Sequence, residues 1–292
     1  MNTGLVIRAT GLWCRVQDDS GVYDCRLRGH YRLRGSKQTN PVAVGDMVEY
    51  ELQSDGTGVV TDVCDRRNYI VRRATKLSKQ THVIAANIDL MCIVATIEHP
   101  RTSTGFIDRL LATAEAYGIA ACLVYNKCDL YDEHTQQKFS HLKQVYNSIG
   151  YAVYSVSATE GIGVDTLRNA IHGKTVLFCG HSGSGKSSLL NAIDSSLQLK
   201  VGEVSEWSDK GTHTTTFAEM FPYAGGYIID TPGIKEFGIV DFKENDLSNC
   251  FPEIKALQDR CRFANCTHSH EPGCAVIEAV GNGSIDEERY SN

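Results

Sequence analysis

Four short polar strings, each set directly behind an apolar run, constrain this chain more than any other feature of it. Asn126-Lys127-Cys128-Asp129 follows the run 121–125, and Ser157-Ala158 follows 152–156. Gly180-His181-Ser182-Gly183-Ser184-Gly185-Lys186-Ser187 follows 175–179, and Asp230-Thr231-Pro232-Gly233 follows 227–229. A further apolar run spans 88–96. Between these runs lie longer stretches with helical spacing, carrying Phe106, Leu110, Ala114 and Tyr117 in one case and Leu142, Val145 and Ile149 in another. Short apolar strands alternating with amphipathic helices predict an α/β domain around a mostly parallel sheet. Such sheets hold ligands at the carboxyl ends of their strands, which is where all four strings fall.

The longest string reads as a phosphate loop. Its glycines let successive backbone N–H groups, those of His181, Ser182, Gly183 and Ser184 among them, turn toward phosphate oxygens, and the helix beginning near Ser188 adds its N-terminus. Lys186 would reach the β- and γ-phosphates, and Ser187 would give its hydroxyl oxygen to Mg²⁺.

The base is expected to be guanine. A carboxylate accepts from both guanine N1–H and the exocyclic amine, a donor pair that adenine lacks, and Asp129 is placed for this. Lys127 would lay its stem along the base or ribose, Cys128 completes the string, and Asn126 would tie it to the phosphate loop. After Ser157, the Ala158 N–H can meet guanine O6. A site built on such pairs rejects the wrong base because its own groups are then left unpaired.

Asp230 would hold Mg²⁺ through water, and the Gly233 N–H would meet the γ-phosphate. Between this string and the phosphate loop runs a polar stretch ending Gly211-Thr212-His213-Thr214-Thr215-Thr216. Thr215 is the candidate for completing the Mg²⁺ shell in the GTP state. The segment would then order with GTP and loosen after hydrolysis. Ile234 stands where Ras-like enzymes carry the glutamine that orients the attacking water. Isoleucine cannot do this, so slow intrinsic hydrolysis is expected, with His213 the nearest polar candidate for the catalytic role.

Near the C-terminus, Cys261, Cys266, His268 and Cys274 lie within one short segment. Three thiolates and an imidazole make a closed tetrahedral zinc site, structural because no position is left open. His270 competes with His268 for the fourth place. One zinc would supply stability that so short a segment cannot draw from a core.

Residues 1–68 read as half-buried strands. Tyr23, Cys25 and Leu27 alternate with Asp24, Arg26 and Arg28, and Val48, Tyr50 and Leu52 alternate with Glu49 and Glu51. A small all-β barrel is expected, of a type that alternation does not distinguish. The net charge of −6 argues against a general coat for nucleic acid. Two local basic footprints nevertheless stand out, one from Arg26 through Arg28, His30, Arg32 and Arg34 to Lys37, the other Arg66, Arg67, Arg72 and Arg73. Either is a phosphate-binding face or a solvated one. No apolar run has the length of a membrane span, and Met1 to Arg15 lack the continuous apolar core of a signal peptide. Most of the 11 cysteines sit singly in apolar runs, as cytosolic thiols do. A cytoplasmic location is therefore expected.

Together these residues resemble the ribosome small-subunit-dependent GTPase A family (RsgA/YjeQ) of bacteria over essentially the whole chain. In an ordinary GTPase the phosphate loop leads; here Asn126–Asp129 precedes Gly180–Ser187, the cyclic shift of a circularly permuted GTPase. The resemblance implies an OB-fold barrel contacting ribosomal RNA over 1–68, a permuted P-loop GTPase domain over 69–240 and a zinc-binding helical segment over 241–292. It implies GTP hydrolysis to GDP, stimulated by the small ribosomal subunit, in late maturation of that subunit. It assigns zinc to Cys261, Cys266, His268 and Cys274 and makes His213 a catalytic candidate. No dimer seam is visible, so a monomer is expected. Two positions depart from the family: Ser184 stands where valine is usual, and Thr212 where arginine commonly precedes the histidine. The alternative is a zinc-stabilised RNA-binding scaffold that senses guanine nucleotide without significant turnover. The second switch also runs straight into the zinc segment, so nucleotide state would shift that segment relative to the barrel.

Overall fold

The computed structural model describes residues 2–27, 40–73, 81–201, 218–231 and 247–292. The first five strands are β1 (Asn2–Thr10), β2 (Trp13–Asp18), β3 (Gly21–Leu27), β4 (Met47–Leu52) and β5 (Gly58–Val63). β1 pairs antiparallel with both β2 and β4, β2 pairs with β3, β4 pairs with β5, and β3 runs parallel to β5. The circuit closes, so the barrel has no free edge. This strand order is what alternation alone could not supply, and it makes the barrel OB-like. Inward residues Val6, Cys14, Val16, Cys25, Val48, Tyr50 and Val60 fill it. Leu52 departs from the alternation. It is 44% exposed, because β4 has by then run out to the rim, where Leu52 pairs with Gly58 beside the hairpin turn.

β6 (Tyr69–Arg73) and β7 (Thr81–Ala86) form a separate antiparallel ribbon. Two of the four arginines of the second basic footprint are engaged by carboxylates of the fold. Arg66 grips the buried Asp46 with two hydrogen bonds, at 2.7 and 2.8 Å, and Arg67 pairs with Asp89 at 2.8 Å.

Then follow β8 (Leu90–Ala95), α1 (Thr104–Ala116), β9 (Ala120–Tyr125), α2 (Glu133–Ser148), β10 (Ala152–Ser155), α3 (Val164–Ile171), β11 (Thr175–Cys179), α4 (Lys186–Ile193), β12 (Glu219–Tyr223) and β13 (Gly226–Asp230). Strands β10, β9, β8, β11 and β13 are parallel in that order, with β12 antiparallel beside β13. The central strands β8, β9 and β11 are largely apolar because both their faces are covered. Met91, Ile93, Leu123 and Leu177 pack against α1 and α2 through Ile107, Leu111 and Phe139. Their neighbours Cys92, Val94, Val124 and Phe178 pack against α3 and α4 through Leu167, Ile171, Leu189 and Ile193. β12 also pairs with β1 at Arg8 and Glu219, so barrel and parallel sheet join as one array of 11 strands.

The C-terminal segment carries α5 (Pro252–Lys255), α6 (Ala275–Gly281) and α7 (Glu287–Ser291) around a core of Cys274, Val276, Ala279 and Ile285. It docks on α1 through one buried cluster. Arg289, 3% exposed, donates to Asp108, 1% exposed, at 2.5 Å, and also pairs with Glu253. Tyr146 and Asn292 complete the hydrogen bonds to Asp108. Burial works against the Arg289 charge, but Glu253 and Asp108 outweigh it and hold the guanidinium protonated.

Candidate functional site

Asn126, Ser157, Gly180 and Asp230 stand at or just beyond the carboxyl ends of four parallel strands of one sheet, β9, β10, β11 and β13, with β8 between β9 and β11. The Gly180–Ser187 loop enters α4 without a side-chain cap. The N–H groups of Gly183, Gly185, Lys186 and Ser187 make no hydrogen bond among the described residues. Open donors at a helix start form a cradle for an anion. Two glycines are required here. Gly183 has φ +85° and Gly185 φ +81°, and a Cβ on Gly185 would stand 2.4 Å from Asn126 Nδ2. The Ser184 side chain is fully buried, lies near Gly180, and its hydroxyl has no partner among the described residues. It therefore points away from the cradle.

Asn126 joins three of the strings. Buried at the end of β9, it donates through Nδ2 to the Ser184 carbonyl at 3.0 Å and accepts through Oδ1 from the Ala158 N–H at 3.1 Å. In this structure the Ala158 N–H thus goes to Asn126. Ser157 is fully buried, and its hydroxyl accepts from the Glu160 N–H at 3.1 Å, which holds the turn carrying Ala158. Lys127 adopts φ +66° and donates its ammonium to the His99 carbonyl at 2.5 Å. The Cys128 N–H bonds to Val156 O at 3.1 Å, and Asp129 lies exposed in the 3-10 turn that follows.

Lys186 forms an ion pair with Asp230, which is 8% exposed at the end of β13. Thr231 donates to the Phe178 carbonyl at 3.1 Å and fixes the strand end. Ser187 lies in the first turn of α4, so a hydroxyl and a carboxylate, oxygen donors suited to a hard cation, flank Lys186 in the fold. Thr215, His213, Gly233 and Ile234 lie outside the described residues, as does the basic stretch from Arg28 to Lys37.

A further wall went unread in the sequence. The loop from Thr96 to Ser103, between β8 and α1, lies against the phosphate loop. Thr102 Oγ1 is 2.6 Å from His181 Nε2, and the Phe106 ring meets the His181 ring edge-on at 5.9 Å. A Cβ on Gly183 would come within 3.1 Å of Pro100. The signal was present: the Thr-Ser-Thr run sits behind a strand, where ligands bind.

In the C-terminal segment, Cys261, Cys266, His268 and Cys274 bring their donor atoms within 4.8 Å of one another. A tetrahedral zinc implies S···S edges of about 3.8 Å and S···N edges of about 3.5 Å. Cys261 and Cys274 Sγ are 3.9 Å apart, and they lie 3.6 and 3.5 Å from His268 Nδ1. The residues fit the metal. His270 is exposed and outside the cluster. The Glu271 carboxylate gathers the Thr267, Ser269 and His270 N–H groups, and Tyr290 on α7 donates to the His268 carbonyl.

Residues 63–240 match the RsgA GTPase family and residues 3–60 the RsgA N-terminal domain. The chain belongs to the RsgA GTPase family. Among RsgA relatives, the small ribosomal subunit biogenesis GTPase RsgA 2 of Bacteroides thetaiotaomicron is 50% identical over 291 residues, covering 99% of this chain and 94% of that protein. The small ribosomal subunit biogenesis GTPase RsgA of Flavobacterium psychrophilum is 47% identical, covering 99% and 90%. The crystal structure of YjeQ from Thermotoga maritima superposes with TM-score 0.80 at 36% identity, covering 99% of this chain and 94% of that one. YloQ, described as a circularly permuted GTPase, gives 0.76 at 28% identity, covering 100% and 92%. As an RsgA family member the chain is a GTPase, and the family implies nucleotide with Mg²⁺. No helix among the described residues is long and apolar enough to cross a membrane.

Proposed function

We propose that this chain hydrolyses GTP to GDP and phosphate on the small ribosomal subunit, late in that subunit's maturation. The observation that carries the nucleotide half is Asn126, whose single buried side chain ties the base string, the phosphate loop and Ala158 together. The relatives' names, small ribosomal subunit biogenesis GTPase, support the other half. In this reading the open N–H groups of Gly183, Gly185, Lys186 and Ser187 receive the phosphates, with Lys186 passing from Asp230 to the β- and γ-oxygens. Ser187, Thr215 and Asp230 would hold Mg²⁺, whose charge offsets that on the phosphate oxygens. Asp129 accepts from guanine and His213 orients the attacking water.

Zinc is our assignment for Cys261, Cys266, His268 and Cys274, in a structural role supported by edges that match a closed tetrahedron. Ribosomal RNA is the partner assigned to the barrel. Trp13, 47% exposed, lines a cavity there with Arg8 and Arg15, an aromatic face beside two guanidinium groups. The chain acts as a monomer in this reading.

Exchange of Asp129 tests the base assignment. Asn in its place offers a donor to the C2 carbonyl of xanthine, so D129N should lose GTP affinity by about a hundredfold and gain XTP binding. Unchanged GTP affinity would remove Asp129 from the base site.

A further inference from the structure

We infer that His181 is a positioning residue of the phosphate loop, held from outside by Thr102, and that it sets the direction of the Gly183 N–H. The inference rests on reading Gly180–Ser187 as the phosphate loop. His181 to Ser184 form a β-turn: the Ser184 N–H donates to the His181 carbonyl at 3.3 Å, and Gly183, third in the turn, has φ +85°. A positive φ at that position marks a type II turn. Type I and type II turns differ by a flip of the central peptide, here Ser182–Gly183. In a trans peptide the C=O and N–H point in opposite directions, so whatever holds the Ser182 carbonyl also aims the Gly183 N–H.

The His181 ring holds that carbonyl. Its Nδ1 lies 2.8 Å from Ser182 O, and a carbonyl only accepts, so the proton resides on Nδ1. In the neutral ring Nε2 is then the acceptor, 2.6 Å from Thr102 Oγ1. Thr102 in turn accepts from the Thr96 N–H at 2.9 Å, which leaves its own hydrogen for His181. Phe106 backs the ring edge-on. Thr102 is 7% exposed in the loop before α1, and Thr96 directly follows β8, so the chain from Thr96 N–H to Ser182 C=O runs from the end of the sheet to the phosphate loop. The Gly183 N–H is left without an acceptor among the described residues, aimed away from the Ser182 carbonyl and available to a phosphate oxygen.

The test is GDP affinity of the full chain for His181→Ala, Thr102→Val, Thr102→Ser and the double variant H181A/T102V, with Lys186→Ala alongside. One hydrogen bond's worth of preorganisation predicts a loss of about tenfold for H181A and about threefold for T102V. Because Thr102 acts through His181, the double variant should bind GDP as H181A does, and T102S should bind as the parent does. A structural role alone would give additive losses. H181A within about twofold of the parent, or additive losses in the double variant, overturns the inference if K186A loses binding. If K186A also retains full affinity, the phosphate-loop reading itself is overturned.

Discussion

Asn126 Nδ2 donates to the Ser184 carbonyl at 3.0 Å across 58 positions of sequence, so one buried amide sets the spacing between base loop and phosphate loop. Its Oδ1 simultaneously holds the Ala158 N–H. Asn126→Ala would free both loops, and loss of two buried hydrogen bonds, at roughly 1 kcal/mol each, should weaken GDP binding by about thirtyfold. Titration with GDP checks this, and affinity within about threefold of the parent would contradict it.

The cysteine cluster makes a stoichiometric prediction. Purified protein should carry one zinc per chain, Cys274→Ser should lose it, and His270→Ala should keep it, since His270 lies outside the cluster. Elemental analysis of the three proteins decides this. Zinc lost from H270A would return His270 to the ligand set.

The zinc segment is fastened to α1 by Arg289. Arg289→Ala leaves Asp108 and Glu253 buried without their cation, a loss of about 3–5 kcal/mol. Thermal unfolding should show a destabilised C-terminal segment, and limited proteolysis should cut after about residue 247. Unchanged protection there would contradict the clamp. Because Phe106 on the same helix backs His181, α1 touches both the phosphate loop and the zinc segment. The sequence pointed to the second switch as the connection between nucleotide and zinc segment; the described residues add this one.

What could be read ahead of the structure was chemistry carried by local spacing. Glycines at 180, 183 and 185, a lysine and a serine suffice to mark a phosphate loop, because its donors are consecutive backbone groups. Asn126 was legible for the same reason. Contacts between distant segments were not. Thr102 and His181 are 79 positions apart, and nothing near either residue signals the other. Arg289 and Asp108 are 181 apart. The four arginines of the second footprint looked alike as charge, yet Arg66 is spent on buried Asp46. Ser184 differs again: its departure from valine was visible, but only packing shows that its hydroxyl is turned inward without a partner among the described residues.

Acid should loosen the barrel through Asp18. The Tyr50 hydroxyl, at 2.6 Å, and the Ser20 and Gly21 N–H groups hold its carboxyl below the ordinary range. A depressed folded pKa contributes stability that is present above the unfolded value of about 3.9 and is lost as pH falls through the folded pKa. Asp18→Asn should therefore lower stability at neutral pH and flatten its pH dependence below about pH 4. Equal acid sensitivity in parent and variant, followed by circular dichroism, would contradict the assignment.

Turnover decides the central claim most directly: phosphate release from GTP at physiological salt, alone, with purified small ribosomal subunits, and with large subunits as control. The account predicts slow release from the protein alone, since Ile234 cannot orient water, and stimulation by small subunits only. GTP bound without turnover under every condition, or equal stimulation by large subunits, would contradict it.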